Sequence, residues 1–309
     1  MQRWLQHGSD VNNLGPLYDC SRFNLTKSQW LSVGNREPIL GWGSLIYGIL
    51  IEIIYVPCLF AITKPEFIKH SCYKIMLFIG LNDMVAITVN SIITGYGLII
   101  GTVYCVDPNF QYISGAVGLA TWCSACLACL ILVFNRVCAL WRPSVVEDLF
   151  GGHKAYIVML IPFFYCFWFI FFTPPIMFNS PMKGWFLYPF FENAQKFFTV
   201  DQWKNLHVIQ DMTPYANFGM IANNLFVVFA SVIMYLVFCL ILMIKFYSKT
   251  SKKMTFAQKS IFYQSAMISA ANLYTALIYT YMQFYPQMVA PWMIFIGHAG
   301  CMFSHGILL

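Results

Sequence analysis

The stretch that decides the fold runs from Trp122 to Pro143, WCSACLACLILVFNRVCALWRP. Its uncharged, mostly apolar residues run straight into Asn135-Arg136, and the apolar character breaks at Arg142-Pro143. An unpaired arginine at the end of a membrane-length helix is tolerated when it sits at the interface, with its guanidinium turned toward water or a protein partner. The stretch therefore reads as a membrane span whose last turn presents a fixed cation to one side.

The rest of the chain fits that setting. Of 309 residues, 59% are hydrophobic, 18% aromatic and only 10% charged, a composition outside the soluble globular range. A hydrocarbon core about 30 Å thick needs about 20 apolar residues per helix. Seven such stretches are read at 39–63, 75–101, 112–135, 155–173, 215–244, 261–283 and 289–309. They predict an all-α seven-helix membrane domain over 38–309, preceded by a tail over 1–37. The tail has no apolar run long enough for a signal-peptide core, so no cleaved signal is expected and the first span serves as anchor.

Lysine and arginine in the loops set the orientation. The loops at 64–74, 136–154 and 245–259 hold eleven basic and three acidic residues; the tail with 102–111, 174–214 and 284–288 holds seven of each. The first set is thus expected in the cytoplasm, with the N-terminus outside. Asn24-Leu25-Thr26 on that tail is a glycosylation sequon. Of eleven cysteines, Cys20 and Cys105 alone fall in outer segments, where oxidation is permitted, which leaves one bridge from the tail to the outer end of span three. The aromatic-rich segment at 174–214 is expected to form a lid over a binding site, with an interfacial aromatic belt as the alternative.

Enzymatic chemistry finds no support. HExxH, His-box, GxSxG and glycine-rich phosphate-loop patterns are missing from the sequence. Cys123, Cys126 and Cys129 form a CxxCxxC, read as small residues along one helix face rather than a metal site. No catalytic residue, cofactor or metal is expected. His298 and His305 share a face of the last span without a carboxylate on that helix. Glu52 and Asp83 are the two acids within spans and are expected to share one site with Asn90, holding a proton or a cation. The alternative is a protonated Glu52 bonded to a neighbouring helix.

Counting about 1.5 Å per residue from the outer ends puts Trp122, Asn223 with Asn224, and His298 all about 15 Å deep. An indole, two amides and an imidazole at one level form a candidate small-molecule site, with Tyr274 and Trp292 completing the set. The competing reading is that these groups bond helix to helix. Lys252 and Lys253 lie in the most basic inner loop, which reads as a lipid-facing topology signal or as a docking surface for an acidic partner.

Tyr18-Asp19-Cys20-Ser21, Pro57-Cys58-Leu59, Ser71-Cys72-Tyr73-Lys74-Ile75-Met76, Asn90-Ser91, Tyr104-Cys105 and Asn135-Arg136 form a recognisable pattern. Asn223-Asn224, Gln264, Asn272 and Met282-Gln283-Phe284 continue it. This pattern resembles the nematode serpentine receptors of class T over nearly the whole chain. The resemblance implies a rhodopsin-like G-protein-coupled chemoreceptor, multi-pass in the plasma membrane or a sensory cilium, with a small-molecule ligand, a heterotrimeric G protein and membrane lipid as partners and no nucleic acid. It places Asn135-Arg136 where such receptors carry an acidic-arginine pair, so Arg136 is expected to contact the G protein or lock the inactive state, with Lys252 and Lys253 also serving coupling. Asp83 matches that superfamily's helix-two aspartate. Asn135 departs from the usual acid. No seventh-helix NPxxY or amphipathic helix appears before Leu309, so the sequence reads as a truncated gene model. A channel or transporter using Glu52 and Asp83 is the other function class, but it would need charges along several helices or paired broken helices.

Overall fold

The computed structural model describes residues 1–190, 215–247, 256–285, 288 and 290–306. Among them are seven long helices: α1 (Pro38–Ile62), α2 (Ser71–Ile100), α3 (Pro108–Trp141), α4 (Lys154–Phe172), α5 (Phe218–Tyr247), α6 (Phe256–Phe284) and α7 (Pro291–Gly306). α1 to α5 are long and apolar enough to cross a membrane. Isolated backbone groups cannot be left unbonded in hydrocarbon, and a helix satisfies nearly all of them within itself. Large apolar side chains remain exposed on several helices, among them Ile157 (62%), Phe164 (63%), Phe229 (64%) and Leu236 (61%), a surface suited to lipid rather than water.

Two helices run differently from the sequence reading. α3 does not end near Arg136; it continues to Trp141, because Val137 to Trp141 are ordinary helix formers and the first breaker is Pro143. Its cation therefore lies inside the helix, more than one turn from the end. The loop expected after it contains a further short helix, Pro143–Phe150, started by proline at its first position. α2 carries a π turn at Thr88–Ile93, which the apolar pattern does not signal.

The chain divides into two compact units, each taking pieces of several helices. The first consists of Met1–Ile49, Thr88–Ala120 and Phe167–Met220. Here the tail is folded. A capping box starts the helix Lys27–Val33, with Thr26 and Gln29 each bonding the other's backbone N–H. The Cys20–Cys105 disulfide fastens the tail to the turn Tyr104–Val106. Beneath it Val11, Phe23, Trp30, Val33, Tyr104, Tyr112, Met177, Phe190 and Tyr215 make one core. Tyr18 stands among Tyr112, Tyr215 and Tyr104, with ring centroids 5.4, 5.8 and 6.5 Å away, all edge-on. The Tyr104 and Tyr215 hydroxyls donate to the carbonyls of Tyr18 and Leu17. Burial, reinforced by the neighbouring phenols, pushes the Tyr18 and Tyr104 hydroxyls well above their usual range, so this core stays neutral.

In the same unit α1 and α2 meet backbone to backbone. A Cβ on Gly41 would lie 2.7 Å from the Gly95 carbonyl oxygen, and one on Gly95 equally close to that of Gly41. Gly48 abuts Ser91, whereas Gly43 faces open space. Ser44 and Ser91 exchange hydrogen bonds, each hydroxyl donating to the other's carbonyl at 2.9 and 2.6 Å. After α4 the antiparallel strands β1 (Met177–Asn179) and β2 (Gly184–Phe186) form a hairpin. Trp185 donates from it to Thr94 Oγ1 at 2.8 Å. Of the aromatics expected in a lid, Trp185, Phe186, Tyr188 and Phe190 belong to this packed segment; Phe191, Phe197, Phe198 and Trp203 lie outside the described residues.

The second unit consists of Leu50–Ile87, Thr121–Cys166 and Ile221–Leu309. Its core gathers Tyr55, Ile75, Ile79, Ala128, Leu132, Met159 and Ile268. Phe150 packs into it beside Phe134, and the Lys74 ammonium donates to the Gly152 carbonyl while lying over the Tyr156 ring, 5.2 Å from its centroid. The segment between α3 and α4 is thereby held at its α4 end.

The disulfide closes a loop of sequence separation 85. On the chain-entropy model a loop of that size contributes roughly 4–5 kcal/mol. The paired Cys20→Ser, Cys105→Ser variant should melt well below the wild type, and non-reducing peptide mapping of the wild type should recover the two cysteines in one linked peptide. Free thiols at both positions would contradict this.

Candidate functional site

Trp122, almost fully buried on α3, is the centre of a polar chain within the second unit. Its indole N–H donates to Asn224 Oδ1 at 3.2 Å. The neighbouring Asn223 donates from Nδ2 to the same oxygen at 3.3 Å, and Tyr165 of α4 donates its hydroxyl to Asn223 Oδ1 at 3.3 Å. Two aromatic rings stand edge-on to the indole: Tyr279 of α6 at 6.2 Å and His305 of α7 at 5.9 Å between centroids. Beyond His305 the chain continues into α2 and α1. His305 Nδ1 lies 2.7 Å from Asp83 Oδ1, and the Tyr55 hydroxyl reaches both Asp83 Oδ2, at 3.3 Å, and the His305 carbonyl.

Among the described residues the hydrogen-bond partners of Asp83 are His305 and Tyr55. Glu52 is half-buried on α1; Tyr55, one turn further on and fully buried, occupies the position facing Asp83. Asn90, buried in the π turn, belongs to the first unit. A conducting path built on two adjacent carboxylates gains nothing from this pairing. The carboxylate that α7 lacks in sequence is supplied by α2, which is why spacing along α7 alone gave no hint of it.

The remaining expected ligand residues divide. His298 is buried two helical turns before His305 on the same helix face. Tyr274 and Trp292 are 48% and 63% exposed, so they point away from Trp122's level. Tyr274 instead lines a groove of about 550 Å³ between α6 and α7, floored by Ala270, Ala271, Ala299 and Gly300. The cysteines of the CxxCxxC are buried on α3, and among the described residues no group of three His, Cys, Asp or Glu side chains is placed to hold a metal.

Several buried polar atoms have no partner among the described residues. Asn224 Nδ2 and His305 Nε2 flank Trp122; Arg136 Nε and Nη2 lie lower on α3. Such an atom costs about 1–3 kcal/mol, more for a charged group, and is therefore a place where a binding partner is rewarded. At Asn135-Arg136 the asparagine, fully buried, donates to Ser71 Oγ at 3.0 Å, and Cys72 hydrogen-bonds the arginine. The described contacts of Arg136 are with Cys72 and Tyr73. Lys252 and Lys253 lie outside the described residues. Asn24 is exposed in a left-handed turn, φ 50°.

The family model for the serpentine type 7TM GPCR chemoreceptor Srt matches residues 4–309, all but the first three positions of the chain. The chain belongs to the Srt chemoreceptor family. It is similar to serpentine receptor class T-55 of Caenorhabditis elegans, 26% identical over 298 residues, a match spanning 94% of this chain and 74% of that receptor. As an Srt protein it is a multi-pass membrane chemoreceptor rather than a member of an enzyme family.

In this Srt chain the Asp83–His305 contact is buried on both sides, with side chains 3% and 2% exposed. Removing one partner strands the other, at a cost of about 3–5 kcal/mol, whereas replacing both by apolar groups recovers much of the loss. Thermal unfolding of His305→Leu should therefore fall sharply, and the paired Asp83→Leu, His305→Leu variant should melt above it. Additive losses in the cycle would mean the two groups act separately.

Proposed function

We propose that this Srt receptor binds a small molecule at the level of Trp122, from the side bearing its N-terminal tail, and signals to a heterotrimeric G protein through the end of the bundle that carries Arg136. The observation that carries the reading is the chain of hydrogen bonds from Asn223 and Asn224 to Trp122, joined by an edge-on ring contact to a second one through His305, Asp83 and Tyr55. It joins α5, α3, α7, α2 and α1, so a molecule that perturbs the indole acts on five helices at once. Buried polar side chains inside a helical membrane domain are costly and mark functional positions by default. A pocket of apolar walls with a few convergent polar groups is the form small-molecule sites take.

Arg136 supports the second half. Two of its guanidinium nitrogens, Nε and Nη2, are buried with no partner among the described residues and suit an arriving hydrogen-bond acceptor from a partner protein. The basic loop containing Lys252 and Lys253 would add attraction for an acidic surface and for anionic lipid. The excess of lysine and arginine in that set of loops supports a cytoplasmic location for them and an outward tail, in the plasma membrane of a sensory cell.

A compound screen with a second-messenger readout tests both halves. Asn224→Ala and His298→Ala should shift the potency of any active compound about tenfold or more while surface expression stays near wild type. Lowered stability with unchanged potency would remove the pocket. Arg136→Ala should abolish the evoked signal without loss from the surface, and Arg136→Lys should fail as well, since a point charge does not reproduce the guanidinium fork. A fully active Lys variant would reduce Arg136 to an interfacial anchor.

A further inference from the structure

The chemistry of the ligand is written in the hydrogen bonds that Trp122's neighbours leave open, given the reading that Trp122 marks the site. Asn224 Oδ1 is saturated, accepting from the indole and from Asn223, while its Nδ2, an N–H donor on a side chain with no exposed surface, has no acceptor among the described residues. His305 is the mirror case. Its Nδ1 lies 2.7 Å from Asp83 Oδ1 and Cys301 also bonds the side chain, while its Nε2, on a residue 1% exposed, has no partner among the described residues. In the neutral ring Nε2 is a lone pair seeking a donor; in the protonated ring it is a donor seeking an acceptor. Both groups border the same indole, one bonded to its N–H and the other edge-on to its rings.

Charge sets the second condition. The described contacts of Trp122, Asn223 and Asn224 include no lysine, arginine, aspartate or glutamate. The one ionisable pair nearby, Asp83 and His305, is already engaged with itself. An ammonium or carboxylate on the ligand would arrive in this buried setting with no counter-charge. Tyr279 stands against the indole, and the buried Ala125 and Ala128 follow on the next turns of α3.

We propose that the ligand taken at Trp122 is an uncharged, apolar alcohol whose hydroxyl fills the hydrogen-bond positions left open by Asn224 Nδ2 and His305 Nε2. A hydroxyl is the small group that accepts and donates at once, so it answers the amide N–H and either form of the imidazole. A carbonyl or ether answers only donors.

The test uses the full chain in lipid nanodiscs and a matched set of probes: octanol, methyl heptyl ether, octane, octylamine and octanoate. Thermal unfolding is followed against probe concentration. Octanol should give a saturable rise in the melting temperature; the ether should bind about tenfold more weakly, the equivalent of one lost hydrogen bond, and the other three more weakly still. In Asn224→Leu, whose melting temperature without probe reports its folding, the preference for octanol over octane should vanish. The wild-type comparison needs no variant and decides the matter if Asn224→Leu does not fold. Octane equal to octanol, an ionised probe binding tightest, or no response to any of the five overturns the alcohol. A charged probe whose effect disappears in Asn224→Leu overturns the alcohol but leaves the pocket standing; unchanged potency in Asn224→Ala and His298→Ala removes the pocket itself.

Discussion

A carboxylate placed among apolar helices must be met by a partner, and Asp83 is met from two directions at once. Tyr55 approaches from α1 and His305 from α7, and the same tyrosine hydroxyl also bonds the backbone of α7. Three helices are thus fixed to one another by a handful of atoms in a medium where no water competes for them. Hydrophobic packing alone discriminates poorly between helix faces in lipid, since lipid tails are as apolar as leucine. Polar contacts of this kind decide which face turns inward, and the burial of α3's Ala125, Cys126 and Ala128 follows once its neighbours are set.

The spans were legible because the membrane imposes a length. The expected limits 39–63 and 155–173 differ from Pro38–Ile62 and Lys154–Phe172 by one residue at each end. Legibility failed where a helix outran its apolar stretch, as α3 does past Arg136, or where a helical ring of bonds widened without a compositional mark, as at Thr88–Ile93. Apolar runs report where lipid is, and a helix may continue beyond it for as long as no proline intervenes.

The candidate site was legible by depth and not by direction. Counting residues placed Trp122, Asn223, Asn224 and His298 at one level but gave no direction, and Tyr274 and Trp292, grouped with them, are 48% and 63% exposed. One residue of rotation, about 100°, separates a lining side chain from a lipid-facing one, and the weakly amphipathic spans of this chain do not reveal which is which. His305 was missed for a related reason: its partner sits 222 positions away on another helix, and no local pattern announces such a pair.

The tail's attachment has a consequence for how the molecule is made. Its core draws on Tyr104, Tyr112, Met177, Phe190 and Tyr215, and its covalent tie is at Cys105. Although residues 1–37 leave the ribosome first, they cannot reach their final arrangement until the last of these partners has been synthesised and inserted. At about 5–20 residues per second that is a delay on the order of ten seconds or more. Cys20 likewise cannot pair until Cys105, 85 positions later, has been made. The tail is therefore made before the residues that complete its core, and a defect in any one of them leaves it unfinished.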